Sequence, residues 1–406
     1  MKILHSADWH LGKRLDHFSR MEEQKAVMHE IAIVADREQP DLVILAGDLF
    51  DTFNPPIEAE ELFYKSLREI SDFGRRPVVA LAGNHDSPDR INAPDPLARE
   101  LGIFFAGYPD MQIADVNSNA SFSVLRSEPG FVEFSFKKHD FPLRLIFTPY
   151  ANEFRLKSYL GKEDRESSMR ELLQQKWQDL ADKYCDAEGV NLLAAHLFVM
   201  KEGQKAPEEP DDEKPVLHVG GAQAVYSSNI PEQIQYTALG HLHRRHHVDS
   251  GEKNIWYSGS PLSYSFSEAD QDKFINMVNL KPGGVAEVEP IKLMKGKRLI
   301  RKRFEQIDQA ISWLKNNPEV LVELTIVADD FLKSSERKAL YDAHPGIITI
   351  IPEVKNKVRN TDHKQINLQQ NTTALFEQYF EHYYKQAPNQ ELMDLFMEIK
   401  AEKDKA

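Results

Sequence analysis

Five short polar clusters in this chain carry side chains able to hold a metal ion or move a proton. They are Asp8-Trp9-His10, Gly47-Asp48-Leu49-Phe50-Asp51, Gly83-Asn84-His85-Asp86, His196, and Gly240-His241-Leu242-His243. Imidazole and carboxylate donors without thiolate suit manganese, iron or zinc rather than calcium or a soft metal. There are donors enough for two ions, and Asp48 is a natural bridge because a carboxylate has two oxygens. Singly, none of the clusters decides anything. D-x-H arises by chance, and a lone histidine such as His196 is more often a satisfied core residue than a ligand. Jointly they resist a purely structural account, because each buried polar group without a partner costs a few kcal/mol.

The elements that would position them are legible too. Each cluster follows a short apolar run: 2–5, 42–46, 78–82, 191–195 and 235–239. Further strand candidates are 143–147 and 254–257. Nearly continuous apolar runs are expected where both faces of a strand are covered. Ligands in open α/β sheets gather at the carboxyl ends of the strands, which is where these clusters lie. Gly47, Gly83 and Gly240 allow the backbone to turn sharply there. Helical spacing of Val27, Ile31 and Val34 predicts a helix over 20–37, and 167–184 reads as another. Strands alternating with helices predict an α/β fold. Residues 201–215, charged and proline-containing, read as a loop.

Beyond 280 the pattern changes. Strand (285–294), helix (305–315), strand (320–327), helix (334–342) and strand (346–351) suggest a small α+β domain. A polar linker follows, then two helices near 372–386 and 389–402, separated by Pro388. The tail helices carry Leu375, Phe376, Tyr379, Phe380, Tyr383, Tyr384, Leu392, Leu395, Phe396 and Ile399. They either fold back on the chain or dock in a partner's groove.

At 406 residues the chain is long enough for two or three domains. Its single cysteine, Cys185, excludes an internal disulfide and a cysteine-based zinc cluster. No apolar run spans a bilayer, so no membrane association and a cytoplasmic location are expected. The net charge of −14 argues at first against nucleic acid, which a protein grips through phosphates. Yet six of the nine residues 295–303 (KGKRLIRKR) are basic, while 208–213 (EEPDDE) concentrates negative charge.

The order D-x-H, G-D-x-x-D, G-N-H-D, a lone His and G-H-x-H is similar to the calcineurin-like metallophosphoesterase pattern, complete and in sequence. The opening LHSADWHLGK resembles, more narrowly, the nuclease subunits of bacterial SbcCD-type repair complexes. The resemblance implies a layered β-sandwich flanked by helices over 1–280 and a capping domain over 281–353. A linker would cover 354–370, and partner-binding helices 371–406. It further implies that Asp8, His10 and His243 hold one metal and Asn84, His196 and His241 the other, with Asp48 bridging. The ions would typically be Mn²⁺. His85 would be the catalytic histidine and Asp51 the carboxylate that orients it. The expected substrate is DNA: double-strand ends, hairpins and single strands. The expected partner is an SMC-like ATPase, with a homodimer possible inside the assembly. Asp86 is expected to cap the helix before Pro88 or to stand behind the ligands, with the cap preferred. His246 and His247 are expected on the surface, His17 on the surface or lining the cleft, and Tyr264 and Phe266 in the core or near the site, with core packing preferred. The rival readings are a same-fold esterase for small phosphodiesters or phosphoproteins, and a non-catalytic scaffold.

Overall fold

The computed structural model describes residues 1–113, 121–156, 165–204, 224–249, 253–328 and 332–354, and scattered positions between 373 and 397. Two sheets form the body. The first has six strands, in the spatial order Glu287–Leu293, Lys273–Asn279, Lys2–Ser6, Leu42–Leu45, Val78–Leu81 and Ile103–Ala106. The second has seven: His246–His247, Ile255–Tyr257, Tyr236–Gly240, Val190–His196, Leu143–Thr148, Phe131–Phe136 and Phe122–Glu128.

Side chains alternate between the faces of a strand, and the apolar runs supply both. Ile3, Leu42, Ile44, Val79 and Leu81 of the first sheet meet Leu145, Phe147, Leu192 and Ala194 of the second in a shared core. The alternate residues Leu4, Val43, Leu45 and Ala80 turn outward onto Val27 and Ile31 of helix Met21–Glu38 and Phe63 of helix Ile57–Ile70. On the far side, Ile146, Leu193 and Leu239 meet Leu173 and Trp177 of helix Arg165–Tyr184. The result is four layers: helix, sheet, sheet, helix. His5 ties the sheets together, with Nδ1 2.8 Å from the Tyr236 hydroxyl and Nε2 3.1 Å from the Leu239 carbonyl. Burial pushes its pKa down to about 3, so the ring is neutral.

A third, three-stranded sheet holds Arg298–Phe304, Val320–Ala328 and Ile347–Val354. Its outer face packs Val322, Leu324 and Ile326 against Ala310, Leu314 and Leu340 of helices Ile307–Asn316 and Ser334–Ala343. Its inner face places Leu299, Leu321 and Ile348 on Leu15 and Phe266 of the body. One element differs from expectation. Residues 285–294, expected in this small region, contain Glu287–Leu293, which pairs antiparallel with Lys273–Asn279 at the edge of the first sheet. The intervening loop is short enough for a hairpin, and Pro290, which has no N–H to give, is tolerated on an edge strand. The three-stranded layer therefore starts at Arg298. The basic run lies largely on Arg298–Phe304, an edge strand of that layer, with its arginines exposed and ion-paired. Arg301 pairs with Glu323 at 2.7 Å, Arg303 with Glu353 at 2.9 Å and Arg298 with Asp270 at 3.3 Å.

Residues 354–406 form a second unit. Its described positions 373, 375–377, 380, 393, 396 and 397 are helical, and Phe376 stacks on Phe396 with ring centroids 4.1 Å apart. The expected loop beyond 204 and linker beyond 354 lie outside the described residues, as do Tyr379, Tyr383, Tyr384, Leu392, Leu395 and Ile399. No helix among the described residues is long and apolar enough to cross a membrane.

Trp177 is fully buried under the second sheet and donates its indole N–H to Thr148 Oγ1 at 2.9 Å. Trp177→Ala should destabilise the body by about 3–5 kcal/mol. Urea unfolding followed by circular dichroism should show this as a lower midpoint, with the metal content of the folded protein unchanged.

Candidate metal centre

The strand-end loops are locked to one another by their backbones. Asp8 N–H donates to Gly47 O at 2.9 Å, His10 N–H to Asp48 O at 3.0 Å and Leu11 N–H to Leu49 O at 3.0 Å. Gln24, from the first helix, accepts Gly12 N–H at 3.0 Å and donates to His10 O at 3.0 Å. Asp8, His10, Asp48 and His241 are left-handed, with φ of 55°, 44°, 49° and 108°. Such conformations cost roughly 1–3 kcal/mol each for non-glycine residues and persist only where the surroundings over-determine them. Gly83 shows how tight the junction is. A Cβ there would lie 2.0 Å from Asp48 Oδ1 and 2.2 Å from the Asp48 amide nitrogen.

The side chains converge on Asp48. Its Oδ1 accepts His85 N–H at 2.9 Å, while Oδ2 faces His196 Nε2 at 3.4 Å and His10 Nε2 at 3.6 Å. On one side, His10 Nε2 lies 3.0 Å from His243 Nε2, and Asp8 lies within the same group of donors as His10 and Asp48. On the other, Asn84 Oδ1 lies 3.0 Å from His196 Nε2 and 2.9 Å from His241 Nδ1. The His196 Nδ1–H donates to the Ala46 carbonyl at 2.8 Å, which turns Nε2 toward Asp48. A backbone anchor of this sort fixes the tautomer of a metal-binding histidine.

Residues 1–245 match the calcineurin-like phosphoesterase family. The SbcD component of nuclease SbcCD from Bacillus subtilis (strain 168) is 35% identical over 98% of this chain and 97% of its own length. The chain belongs to the calcineurin-like phosphoesterases, among the SbcD nuclease subunits. The SbcD proteins of Staphylococcus epidermidis and Rhodobacter capsulatus are 27% and 29% identical, over 97% and 72% of this chain and 95% and 69% of their own lengths. Membership makes the chain a hydrolase of phosphodiester bonds.

The donor set fits the two divalent ions such an enzyme needs. Asp8 Oδ2 and His241 Nε2 are buried with no hydrogen-bond partner among the described residues, an arrangement that is unfavourable without a cation. Burial pushes the Asp8 carboxyl up to about 7 and, with repulsion from neighbouring imidazoles, the His241 ring down to about 3. Burial likewise holds His10 well below its ordinary range. At Asp48 burial opposes ionisation, but the imidazoles of His196, His85 and His10 outweigh it and keep the carboxylate charged. His196 goes the other way: burial opposes its charge, but the carboxylates of Asp48 and Asp8 outweigh it and push the ring up to about 9, so a metal ion there would have to displace its proton.

Several side chains take other places than the sequence suggested. His85 Nδ1 is bonded at 2.9 Å to the backbone carbonyl of Asp51, and not to its carboxylate. That carboxylate accepts from Lys13 at 3.1 Å and lies 3.7 Å from His10 Nδ1. Asp86 caps no helix. It accepts the amides of Leu49, Phe50 and Gly83 at 3.0, 2.9 and 2.7 Å, joining two of the loops. His246 and His247 are half-buried and stack on Tyr257 and Trp256, with centroids 4.8 and 4.6 Å apart. His17 is exposed; Tyr264 and Phe266 are buried, and the Tyr264 ring stands edge-on to His10 at 5.5 Å. Sequence reasoning missed Arg155, which donates to Gly83 O and Asp86 O at 2.8 Å each. It also missed Glu268, 3.3 Å from His243 Nδ1. Neither belongs to a motif.

Gly83→Ala should displace Asp48, because the obstructing atoms include backbone. Metal analysis of the purified variant should show loss of both ions while the circular dichroism spectrum is kept. Arg155→Ala removes two donors to the same loop without touching a ligand. It should weaken metal binding by about 10–100-fold, read by Mn²⁺ titration.

Proposed function

We propose that this chain is a manganese-dependent DNA nuclease of the cytoplasm that works with an SMC-like ATPase in break repair, recombination and replication. It would degrade double-strand ends and cut single strands and hairpins. The observation that carries the reading is the shared position of Asp48 between two donor sets, with His85 beside it. Asp8, His10 and His243 would hold one ion and Asn84, His196 and His241 the other, with Asp48 serving both. Bound there, the ions supply Lewis acidity to the phosphate and lower the pKa of a water.

The protein's own part follows from its hydrogen bonds. With the His85 Nδ1–H committed to the Asp51 carbonyl, Nε2 is the ring atom turned to the substrate, and in the doubly protonated ring its N–H would give a hydrogen bond or proton to the departing oxygen. Asp51 positions that ring through its backbone. Its carboxylate, paired with Lys13, faces His10 instead. His85 is half-buried rather than sealed, so a polymeric substrate can reach it.

Support for the substrate class comes from the full-length likeness to nuclease subunits. Ion pairing of Arg298, Arg301 and Arg303 leaves Lys295, Lys297 and Lys302 as the stronger candidates for phosphate contact in the basic run. The tail helices, with Phe376 stacked on Phe396, are assigned to the ATPase. A homodimer within that assembly belongs to the same reading.

Cleavage of a labelled DNA hairpin with Mn²⁺ tests this, comparing wild type with His85→Ala at equal metal content. The variant should cut about 10²–10⁴-fold more slowly; equal cutting would remove His85 from the chemistry. Wild type that hydrolyses a small phosphodiester but leaves DNA intact, even with the ATPase, would transfer the site to the small-substrate reading. Replacing Lys295, Lys297 and Lys302 together by Ala should weaken DNA binding and flatten its salt dependence. Unchanged binding in a salt titration would place the DNA elsewhere.

A further inference from the structure

Glu268 is fully buried, close to His243 and to the three-stranded layer alike. One of its oxygens, Oε1, faces His243 Nδ1 at 3.3 Å and accepts Tyr264 N–H at 2.9 Å. The other, Oε2, accepts Ser260 Oγ–H at 3.2 Å and is paired with Lys273, whose Nζ also donates to His243 O at 3.2 Å. A buried carboxylate is costly unless it is paired and hydrogen-bonded, and this one spends part of its bonding capacity on a single imidazole. With Nδ1–H directed at Glu268, the His243 Nε2 lone pair is aimed at the space shared with His10.

The same short segment bears the three-stranded layer. Phe266, two residues before Glu268, packs on Leu299 and Leu321. Asp270, two residues after it, donates its N–H to Leu299 O at 3.1 Å and pairs with Arg298. Leu15 and Phe18, in the hairpin that follows the His10 loop, pack in the same cluster. Both contacts thus lead to His10 and His243. The opposite donors are anchored within the body, His196 on Ala46 O and its Asn84 contact shared with His241.

We propose that Glu268 is the positioning residue for His243, and that through it the seating of the three-stranded layer sets the affinity of the Asp8–His10–His243 position for its ion. The Asn84–His196–His241 position is independent of that seating. The inference rests on the two-metal reading above and adds an asymmetry between the two positions. A shift of the layer on the body would load or release one ion while the other stays.

The test is Mn²⁺ binding to the full chain, followed by electron paramagnetic resonance of free Mn²⁺ and of the spin-coupled pair. Glu268→Gln alone leaves Lys273 charged and buried, so the variant of choice is Glu268→Gln with Lys273→Met, which removes both charges. One of two Mn²⁺ sites should weaken about 10–100-fold, and the coupled-pair signal should give way to an isolated-ion signal at limiting Mn²⁺. Phe266→Ala leaves the charges in place and loosens only the contact with the layer; it should weaken the same ion to a smaller degree. Two unchanged affinities in the folded double variant, or equal weakening of both, would overturn the role of Glu268. Unchanged binding in Phe266→Ala would overturn the link to the layer. A wild-type chain that binds fewer than two Mn²⁺ would remove the two-metal reading itself, and this inference with it.

Discussion

The desolvated carboxylate of Asp48 is the constraint around which the other loops are arranged. An anion removed from water needs charge or donors close by. Here it receives the His85 amide and faces two imidazoles that approach from different sheets. To bring the donors that close, the backbone is left-handed at Asp8, His10, Asp48 and His241, and side-chain-free at Gly83. The strain is borne by the paired loops and by the strands behind them. The polar centre therefore depends on the apolar sandwich directly beneath it.

The sandwich acts as more than a platform. Asp8, His10, Asp48, Asn84 and His85 follow strands of the first sheet, whereas His196, His241 and His243 follow strands of the second. Neither sheet has a complete donor set. Asn84 from one meets His196 and His241 from the other, and His196 is anchored on Ala46 across the interface. Packing between Ile44, Leu81, Phe147 and Ala194 thus controls the spacing of the ligands as well as the stability of the body. A phosphoesterase built this way has no separate scaffold and site.

Around the ligands lies a shell that works through backbone and buried charge. Asp86 joins the loops after two strands of the first sheet by accepting amides from both, and Arg155 holds one of those loops by donating to two of its carbonyls. Glu268 and Lys273 do the corresponding work for His243 on the side facing the three-stranded layer. Groups of this kind set how precisely metal ligands are aimed and, on the proposed two-metal reading, how tightly an ion would be held.

Much of this was legible in the sequence. Apolar runs mark the strands because both faces are covered, and the polar clusters mark their carboxyl ends because a chain leaving a buried strand must turn there. Helix Met21–Glu38 lies within a residue of its predicted limits, since its apolar spacing is a local property. Local pattern could not assign residues 285–294, because an alternating strand fits either sheet until pairing with Lys273–Asn279 selects one. It could not show that Asp51 holds His85 by its carbonyl, since every residue has a carbonyl. Nor could it find Glu268 or Arg155, whose partners lie 25 and 69–72 residues away and whose surroundings carry no motif. By itself the sequence determined the polar clusters and their places at the ends of the strands. Which of them face one another, and which buried charges aim them, was decided only when two sheets and a third layer packed together. Those contacts are made by surfaces distant in the chain, and no local periodicity encodes them.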